Sequence, residues 1–327
     1  MSAIKVAAVQ AAPVYMDLAA GVAKAIDLID QAGRAGVQLL AFPETWLPGY
    51  PFFLWLDAPA WTMPLVGRYH THAIVAGSAE DDALRAAAQR NSVTVSLGVA
   101  ERAGGSLYMA QWLYGPDGEL IARRRKLKPT HVERTLFGES DGSHLKVSPT
   151  ALGRIGQLCC WEHLQPLTKY AMYAQQEQIH IACWPSFSLY VGAAYALGPE
   201  LNVAASQLYA AEGQCFVLAA CAVVSPAMVE MLCDTAPKRE LLRPGGGYSR
   251  IFGPDGAPLA APLAPDAEGL IMADIDLQAI TYAKVAADPV GHYSRPDVLR
   301  LMFNDQANAC VVPFEADFNE GGASGPS

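Results

Sequence analysis

Short apolar runs alternate with segments of helical periodicity along this chain. Residues 4–10 predict a first strand, residues 17–35 carry apolar side chains at helical spacing, and residues 37–42 predict a second, fully buried strand. This opening is a β-α-β unit. We therefore expect an α/β fold in which helices are layered on a sheet.

The same alternation continues along the chain, and the elements it predicts are a helix at 80–90, strands at 93–100, 108–114, 119–125, 154–160, 180–184 and 215–224, and helices at 166–178 and 199–212. Gly-Pro-Asp-Gly segments at 115–118 and 253–256 indicate hairpin turns. Residues 45–78 and 225–247 lack such periodicity. They are too long for ordinary connections, so we predict functional loops or interface insertions there.

The composition favours one large domain with an extensive core, because 52% of the 327 residues are hydrophobic and only 17% are charged. The formal net charge of -9 argues against a nucleic-acid-binding surface and against binding to an anionic membrane, since both need clustered positive charge. No run reaches the roughly 18 consecutive apolar residues that a membrane span needs. The partner is therefore expected to be a small molecule or another protein.

The cysteines indicate the compartment. There are seven of them, an odd count at spacings that form no disulfide framework, and residues 1–12 alternate like a strand and do not resemble a signal peptide. These features predict free thiols in a reducing cytoplasm. At the other end, segment 305–327 contains Gly, Ser and acidic residues and is predicted to be a flexible C-terminal tail.

Three predicted strands end at a side chain that can take part in chemistry. Glu44, Lys126 and Cys160 each follow directly on such a strand. Ligands bind at the carboxyl ends of strands in open α/β sheets, and a thiol, a carboxylate and an ammonium together favour a hydrolytic site. The plainer alternatives are a buried structural cysteine, a capping or surface acid, and a solvated basic face at 123–126.

Cys160 is the candidate nucleophile, and Glu44 is the candidate general base that takes its proton. A helix predicted to start after the cysteine would lower the pKa of Cys160, and backbone N–H groups of the turn would stabilise an oxyanion. The neighbouring Cys159 is expected to point to the opposite face of the strand. Only one of the two thiols can therefore face a cleft.

A second carboxylate, Glu133, lies seven residues beyond Lys126. This spacing is short enough to return it to the same pocket, where it would orient Lys126 or the substrate. His131 and Arg134 of the same segment are more often structural residues.

Segment 46–61 is rich in aromatic residues. Together with Tyr190, these rings either form a pocket for an aryl group or fill the core or a subunit contact. His70 and His72 have a spacing that hints at metal binding, but a convincing site needs three or four ligands and no others are evident. No metal is predicted.

Three segments in chain order resemble the motifs of the nitrilase superfamily, whose catalytic residues are a glutamate, a lysine and a cysteine. They are Phe-Pro-Glu-Thr-Trp at 42–46, Arg-Lys-Leu-Lys-Pro-Thr at 125–130 and Cys-Cys-Trp-Glu-His at 159–163. The similarity extends from about residue 4 to residue 304 and implies a single domain at 1–304, folded as a four-layer αββα sandwich. It implies catalytic Glu44, Lys126 and Cys160, to which the spacing argument adds Glu133, and it implies no cofactor.

The Cys-Trp-Glu sequence resembles the nitrilase branch, and segments 165–170, 184–190 and 291–297 are similar to bacterial arylacetonitrilases. The resemblance implies hydrolysis of an arylacetonitrile, such as phenylacetonitrile or mandelonitrile, to the acid and ammonia through a thioimidate and a thioester, with some amide as by-product. It also implies dimers that extend into spiral oligomers. The candidate substrate-binding residues are Trp161, Tyr50, Trp55, Tyr190 and His131.

Three other functions stay open at this point. An amidase or carbamoylase of the same superfamily would act on amides and show little turnover of nitriles. A cyanide-degrading relative is a second alternative. A non-catalytic assembly protein on the same fold is the third, although the presence of all four candidate catalytic residues counts against it.

Overall fold

Eleven strands lie within residues 3–311, the part of the chain that the computed structural model describes. Their bounds are Ile4–Gln10 (β1), Leu39–Ala41 (β2), Thr94–Ala103 (β3), Ser106–Tyr114 (β4), Leu120–Arg125 (β5), Ser148–Thr150 (β6), Gly153–Cys159 (β7), Ile179–Trp184 (β8), Phe216–Cys221 (β9), Arg250–Phe252 (β10) and Gly269–Ile275 (β11). They form a six-stranded sheet in the order β11-β1-β2-β3-β4-β5 and a five-stranded sheet in the order β10-β9-β8-β7-β6.

The helices of the same range are Leu18–Arg34 (α1), Phe53–Leu56 (α2), Pro59–Thr71 (α3), Ala79–Asn91 (α4), Pro166–Ala174 (α5), Pro199–Gly213 (α6), Pro226–Leu232 (α7), Ala236–Leu241 (α8) and Gln278–Ala287 (α9). Short 3-10 turns occur at His131–Thr135, Gly142–His144, Cys160–Leu164 and Tyr195–Leu197. Side chains cap α1 and α4: Asp17 accepts from the N–H of Ala20, and Ser78 accepts from the N–H of Asp81. None of the described helices is long and apolar enough to cross a membrane.

The layers follow from the alternation of side chains along the strands. Val6 and Ala8 of β1 pack between the sheets against residues of β8 and β9, such as Ile181. Ala7 and Val9 face the other way and pack with α1 and α4. Helices α5 and α6 cover the outer face of the second sheet. The predicted αββα sandwich is thus confirmed, with its main cores between the sheets and under each pair of helices.

Most of the predicted strands and helices are present, with ends displaced by a few residues. The interpretation of 45–78 and 225–247 as irregular loops is wrong, because they contain α2, α3, α7 and α8. Helices α2, α3 and α7 bury apolar residues in a shared cluster that includes Phe53, Tyr69 and Met228, and Leu242, the residue after α8, packs in the same cluster. Tertiary packing, and not a regular amphipathic pattern, therefore stabilises them.

The second predicted hairpin turn, at 253–256, is closed by a hydrogen bond from the N–H of Gly253 to the carbonyl of Ala257. Strand β11 lies further along the chain and instead pairs antiparallel with β1, at the edge of the first sheet. Of the predicted tail, residues 312–327 lie outside the described range, so its flexibility stays a prediction.

Candidate active site

The ends of strands from both sheets meet at one edge of the sandwich. Strand β2 leads into Pro43 and Glu44, and the N–H of Glu44 donates to the carbonyl of Trp184 at the end of β8 (3.2 Å). This hydrogen bond joins the first sheet to the second. Gly98 on β3 makes the approach possible, since a Cβ there would lie 1.9 Å from the Pro43 carbonyl oxygen. The backbone around Glu44 is therefore fixed by contacts to both sheets.

Lys126 follows β5 and is fully buried. Its ammonium donates to Glu44 Oε1 at 3.0 Å and to Glu133 Oε2 at 2.8 Å. Burial alone would lower the pKa of Lys126, but the carboxylates of Glu133 and Glu44 outweigh it and hold the pKa well above its ordinary value. The lysine is therefore a permanent cation between two acids.

The two carboxylates have different surroundings. Glu133 also accepts hydrogen bonds from the Thr130 N–H (2.6 Å) and the Tyr50 hydroxyl (2.8 Å), and the Trp55 indole N–H donates to that hydroxyl (3.2 Å). Glu44 Oε2 is buried and has no hydrogen-bond partner among residues 3–311. Burial raises the pKa of Glu44 to about 8, against the opposing effect of Lys126. Glu44 is therefore the carboxyl group that can take up a proton.

Cys160 begins the 3-10 turn that follows β7, with a left-handed φ of 47°. The helix predicted to begin after the cysteine is this short turn instead, and α5 begins only at Pro166. The expectation of a lowered thiol pKa is wrong. Burial and the nearby Glu44 carboxylate raise the pKa of Cys160 well above its ordinary value, although Lys126 and the N–H of Trp161 act in the opposite direction. At rest Cys160 is therefore a thiol, which would need a base to act as a nucleophile.

Glu162 connects the segment of the lysine to that of the cysteine. Its carboxylate accepts from the N–H of Cys159 (2.8 Å) and from the N–H of Leu127 (2.9 Å), and it pairs with the buried guanidinium of Arg124. Cys159 and Leu127 are the chain neighbours of Cys160 and Lys126. Glu162 therefore links the backbone segment that carries Cys160 to the segment that carries Lys126.

A narrow cavity of about 40 Å³ lies over Cys160. Among the sequence-predicted residues, Tyr50, Trp55, Glu133, Cys160 and Trp161 line it. The lining also includes Thr130 and a set of residues that the sequence reasoning did not select as site residues: Phe52, Pro185, Ser186, Phe187, Leu189, Leu197 and Asn202.

Tyr190 and His131 do not line this cavity. The Tyr190 hydroxyl donates to the carbonyl of Trp55 (2.5 Å), and the exposed His131 ring stacks on the Trp55 indole at 5.2 Å between centroids. Both residues thus contact Trp55, which lines the cavity, and do not line the cavity themselves. Their position does not support the expected direct contact with substrate. Of the two histidines considered for metal, His72 accepts a hydrogen bond from the N–H of Leu18.

Comparison with known proteins places this geometry in a family. The family model described as carbon-nitrogen hydrolase matches residues 5–285. The chain belongs to the carbon-nitrogen hydrolase family. A structure of a carbon-nitrogen hydrolase from Helicobacter pylori G27 has the same fold, with a TM-score of 0.71 over 90% of this chain and 96% of that one, at 19% identity.

Curated relatives in this family are more similar in sequence. A nitrilase of Pseudomonas syringae pv. syringae is 62% identical over 94% of this chain and 92% of its own length. A nitrilase of Alcaligenes faecalis described as arylacetone-specific is 52% identical over 92% of this chain and 85% of its own. An aliphatic nitrilase of Rhodococcus rhodochrous is 51% identical over 92% and 83%, respectively.

Asn202 is the least expected residue of the cavity. Its Nδ2 donates to the carbonyls of Ala196 (3.2 Å) and Gly198 (2.7 Å), whereas its Oδ1 is buried and has no partner among the described residues. Residues 185–189 follow β8 directly, so the strand-end signal that identified Glu44, Lys126 and Cys160 could also have identified them. Asn202 lies inside α6 and carries no such signal.

Four residues of the site or its support have a left-handed backbone although they are not glycine: Thr45, His131, Cys160 and Tyr190. Such conformations cost about 1–3 kcal/mol each and persist only where the surroundings enforce them. The hydrogen bonds of Glu44, Glu133 and Glu162 and the packing of Trp55 supply that enforcement. The site thus contains several residues whose unfavourable backbone conformation is maintained by their surroundings.

Proposed function

We propose that the chain is a nitrilase that hydrolyses a nitrile to the carboxylic acid and ammonia, with Cys160 as nucleophile. One observation carries the proposal. A buried lysine lies between two carboxyl groups, of which only Glu44 has an oxygen without a partner within residues 3–311, and the nearby Cys160 lines a narrow cavity with several aromatic rings. The curated relatives named as nitrilases support the same activity.

The first step joins sulfur to carbon. The Cys160 Sγ attacks the nitrile carbon while its proton passes to Glu44, one π bond of the nitrile breaks, and the nitrogen receives a proton from Glu44. The product is a thioimidate. Because burial raises the pKa of the free thiol, proton transfer must accompany attack.

Water then completes the hydrolysis. Glu44 removes a proton from the attacking water and delivers it to nitrogen, which gives a tetrahedral species that Lys126 and the N–H of Trp161 stabilise. Loss of ammonia leaves a thioester, which a second water converts to the acid and the free thiol. If sulfur leaves first, the amide is released, so some amide accompanies the acid.

The substrate is proposed to be an arylacetonitrile, because the rings of Phe52, Trp55, Trp161 and Phe187 surround the cavity. A volume of about 40 Å³ lies far below the roughly 300–1,000 Å³ of typical small-molecule pockets, so an aryl group requires these side chains to move apart. The same narrowness favours a second candidate, a short aliphatic nitrile or cyanide.

The test is release of ammonia and acid from phenylacetonitrile, mandelonitrile, an aliphatic dinitrile and phenylacetamide, with the Cys160→Ala variant in parallel. Preference for the arylacetonitriles that is abolished in the variant is the expected result. Turnover of the dinitrile alone would retain the nitrilase and discard the aryl pocket. Turnover of the amide alone would indicate an amidase, and no release from any substrate would contradict the proposal.

We further propose a cytoplasmic protein that assembles into dimers and larger spiral oligomers. The seven cysteines, all within the described residues, are free. Large apolar side chains are exposed on α6 and α9, among them Leu208, Tyr282 and Val285. Such side chains are suited to subunit contacts. Light scattering of the purified protein measures the assembly directly.

A further inference from the structure

A chain of buried polar side chains ends at the backbone of Cys160. It consists of Tyr209, Glu177, His180 and His163, none of them more than 2% exposed. The Tyr209 hydroxyl is 2.7 Å from Glu177 Oε2, Glu177 Oε1 is 2.7 Å from His180 Nδ1, and His180 Nε2 is 2.9 Å from His163 Nε2. The chain ends at the Cys160 carbonyl oxygen, 2.6 Å from His163 Nδ1.

The position of each proton follows from this last contact. A carbonyl oxygen can only accept, so His163 Nδ1 carries a hydrogen, and Nε2 of the neutral ring is then an acceptor. His180 must therefore donate from Nε2, which leaves its Nδ1 as an acceptor. Glu177 must then be protonated and donate to His180 Nδ1, and its other oxygen accepts from Tyr209. Every hydrogen bond of the chain thus points toward Cys160.

The electrostatics of the four groups agree with this assignment. Burial raises the pKa of Glu177 to about 8, which favours its neutral, protonated form. Burial lowers the pKa of both His163 and His180 well below the ordinary value, which favours neutral rings. Burial also raises the pKa of Tyr209, which keeps its hydroxyl a donor. The chain is therefore uncharged.

The peptide group at the end of the chain has a second role. The Cys160 carbonyl and the Trp161 N–H belong to the same planar peptide unit, and that N–H acts to lower the pKa of the Cys160 thiol, against the larger effect of burial. A hydrogen bond accepted by a carbonyl fixes the plane of its peptide and polarises the N–H at the other end. His163 therefore acts on the donor that faces the sulfur without touching the sulfur itself.

We propose that Tyr209, Glu177, His180 and His163 form a positioning relay, which orients and polarises the Cys160–Trp161 peptide so that the Trp161 N–H stabilises charge on the reacting atoms. The relay holds the left-handed elbow of Cys160 in place through its carbonyl. Its use in turnover rests on the proposed nitrile hydrolysis, but its effect on the thiol does not. The four residues position the nucleophile and touch no substrate.

A glycine, Gly156, leaves space for the relay residue Glu177. A Cβ at Gly156, on the strand that leads to Cys160, would lie 1.7 Å from Glu177 Oε1. The ring of Tyr209 stacks on that of His180 at 3.8 Å, and Trp184 stacks on His163 at 5.1 Å. The ring contacts alone could serve packing. The continuous series of hydrogen bonds from Tyr209 to His180 additionally requires the carboxyl group of Glu177.

The decisive pair of variants is Glu177→Gln and Glu177→Met, which have similar size. The glutamine amide can donate to His180 and accept from Tyr209, as the protonated carboxyl does, whereas methionine breaks the relay at that point. We expect kcat of Glu177→Gln within about twofold of wild type, and kcat of Glu177→Met reduced about tenfold or more with KM little changed, as for a weakened transition-state donor.

A second readout requires no substrate. Alkylation of Cys160 by iodoacetamide, followed by mass spectrometry, is expected to slow about tenfold in Glu177→Met and to stay unchanged in Glu177→Gln, because a weaker Trp161 donor stabilises the thiolate less. If neither protein turns over nitriles but alkylation follows this pattern, the proposed function fails and the relay stands. Equal rates in the two variants would overturn the relay.

The protonation pattern can be read in the unmodified protein, whether or not the methionine variant folds. Nitrogen-15 NMR of histidine-labelled protein is expected to show His163 with its hydrogen on Nδ1 and His180 with its hydrogen on Nε2, with the His163 signal assigned by its loss in His163→Gln. A charged ring or the opposite tautomer at His163 would refute the proposal. Failure of Glu177→Gln to fold would also refute it.

Discussion

Glu44 and Glu133 share the ammonium of Lys126, but within the described part of the chain only Glu44 keeps a buried carboxylate oxygen without a partner. Glu133 is fully occupied by the lysine, the Thr130 N–H and the Tyr50 hydroxyl. A base needs a free lone pair directed at the proton that it removes. The division of work between the two acids therefore follows from their hydrogen bonds.

Replacement of Glu44 by glutamine is expected to reduce kcat by about 10²–10⁴-fold, since the amide cannot accept the thiol proton. The ion pair of Lys126 with Glu133 should survive the change. The measurement is steady-state ammonia release, with circular dichroism to establish that the fold is intact. A loss of less than tenfold in a folded variant would assign the proton transfer to another group.

The pH profile is the second prediction. Because Glu44 acts as a base only when ionised and burial raises its pKa to about 8, kcat/KM should rise with pH through a midpoint near 8 and level off above it. The flanking carboxylates hold the pKa of Lys126 above its ordinary value of 10.5. Loss of the lysine charge should therefore not lower kcat/KM at any pH below 10.5. Measurement of kcat/KM across pH for one nitrile decides the point. An ascending limb near 4.5, the ordinary value for a glutamate, would contradict it.

Removal of the lysine tests the cost of the buried cluster. Lys126→Met leaves two buried carboxyl groups without their shared cation, and we expect the free energy of unfolding to fall by about 3–5 kcal/mol. Adding Glu133→Gln should restore part of this loss, since the amide is uncharged, its oxygen can still accept from the Thr130 N–H, and its NH2 group can donate to the Tyr50 hydroxyl. Urea denaturation of both variants gives the comparison. Additive losses in the double variant would show that the groups do not interact.

Gly98 provides a test outside the cavity. The Cβ of Gly98→Ala would meet the Pro43 carbonyl oxygen, so Glu44 must shift, and kcat is expected to fall about 10²-fold. Gly67→Ala is the matched control, because an added Cβ at Gly67 meets nothing within 4 Å. Equal activity of the two variants would mean that the segment can move without consequence for catalysis.

Asn202 is expected to recognise a hydroxyl group on the substrate. Its unpartnered Oδ1 can accept from the α-hydroxyl of mandelonitrile, which phenylacetonitrile lacks. The Asn202→Leu variant should therefore lower kcat/KM for mandelonitrile about tenfold more than for phenylacetonitrile. The ratio removes effects of the lost Nδ2 bonds, which both substrates share. An equal fall for both nitriles would give Asn202 a structural role only.

The sequence identified residues that stand at strand ends, because the apolar runs before Glu44, Lys126 and Cys160 are visible in one dimension. Glu133 was found by its proximity to Lys126 along the chain. Their roles as catalytic residues stay predictions until the variants are measured. The alternation of strands and helices predicted an α/β fold, and the resemblance of three motifs to a family implied its αββα layers.

The properties that depend on distant segments could not be predicted. The thiol pKa was misjudged because the burial of Cys160 and its Glu44 neighbour arise only on folding. Asn202 and the relay histidines lie in elements whose patterns show only burial. The helices within 45–78 and 225–247 were missed because they form by packing on each other, a tertiary effect that no local pattern contains.

The hydrogen bond between Glu44 and Trp184 crosses from one sheet to the other. Glu44 and Lys126 follow strands of the first sheet, whereas Cys160 follows a strand of the second, so the distances between these proposed catalytic groups depend on the distance between the layers. Substitutions at interlayer positions such as Ala8 or Leu218 would therefore change catalysis while every reacting group is retained. Mutation or selection can therefore alter the site by changing the spacing between the two sheets.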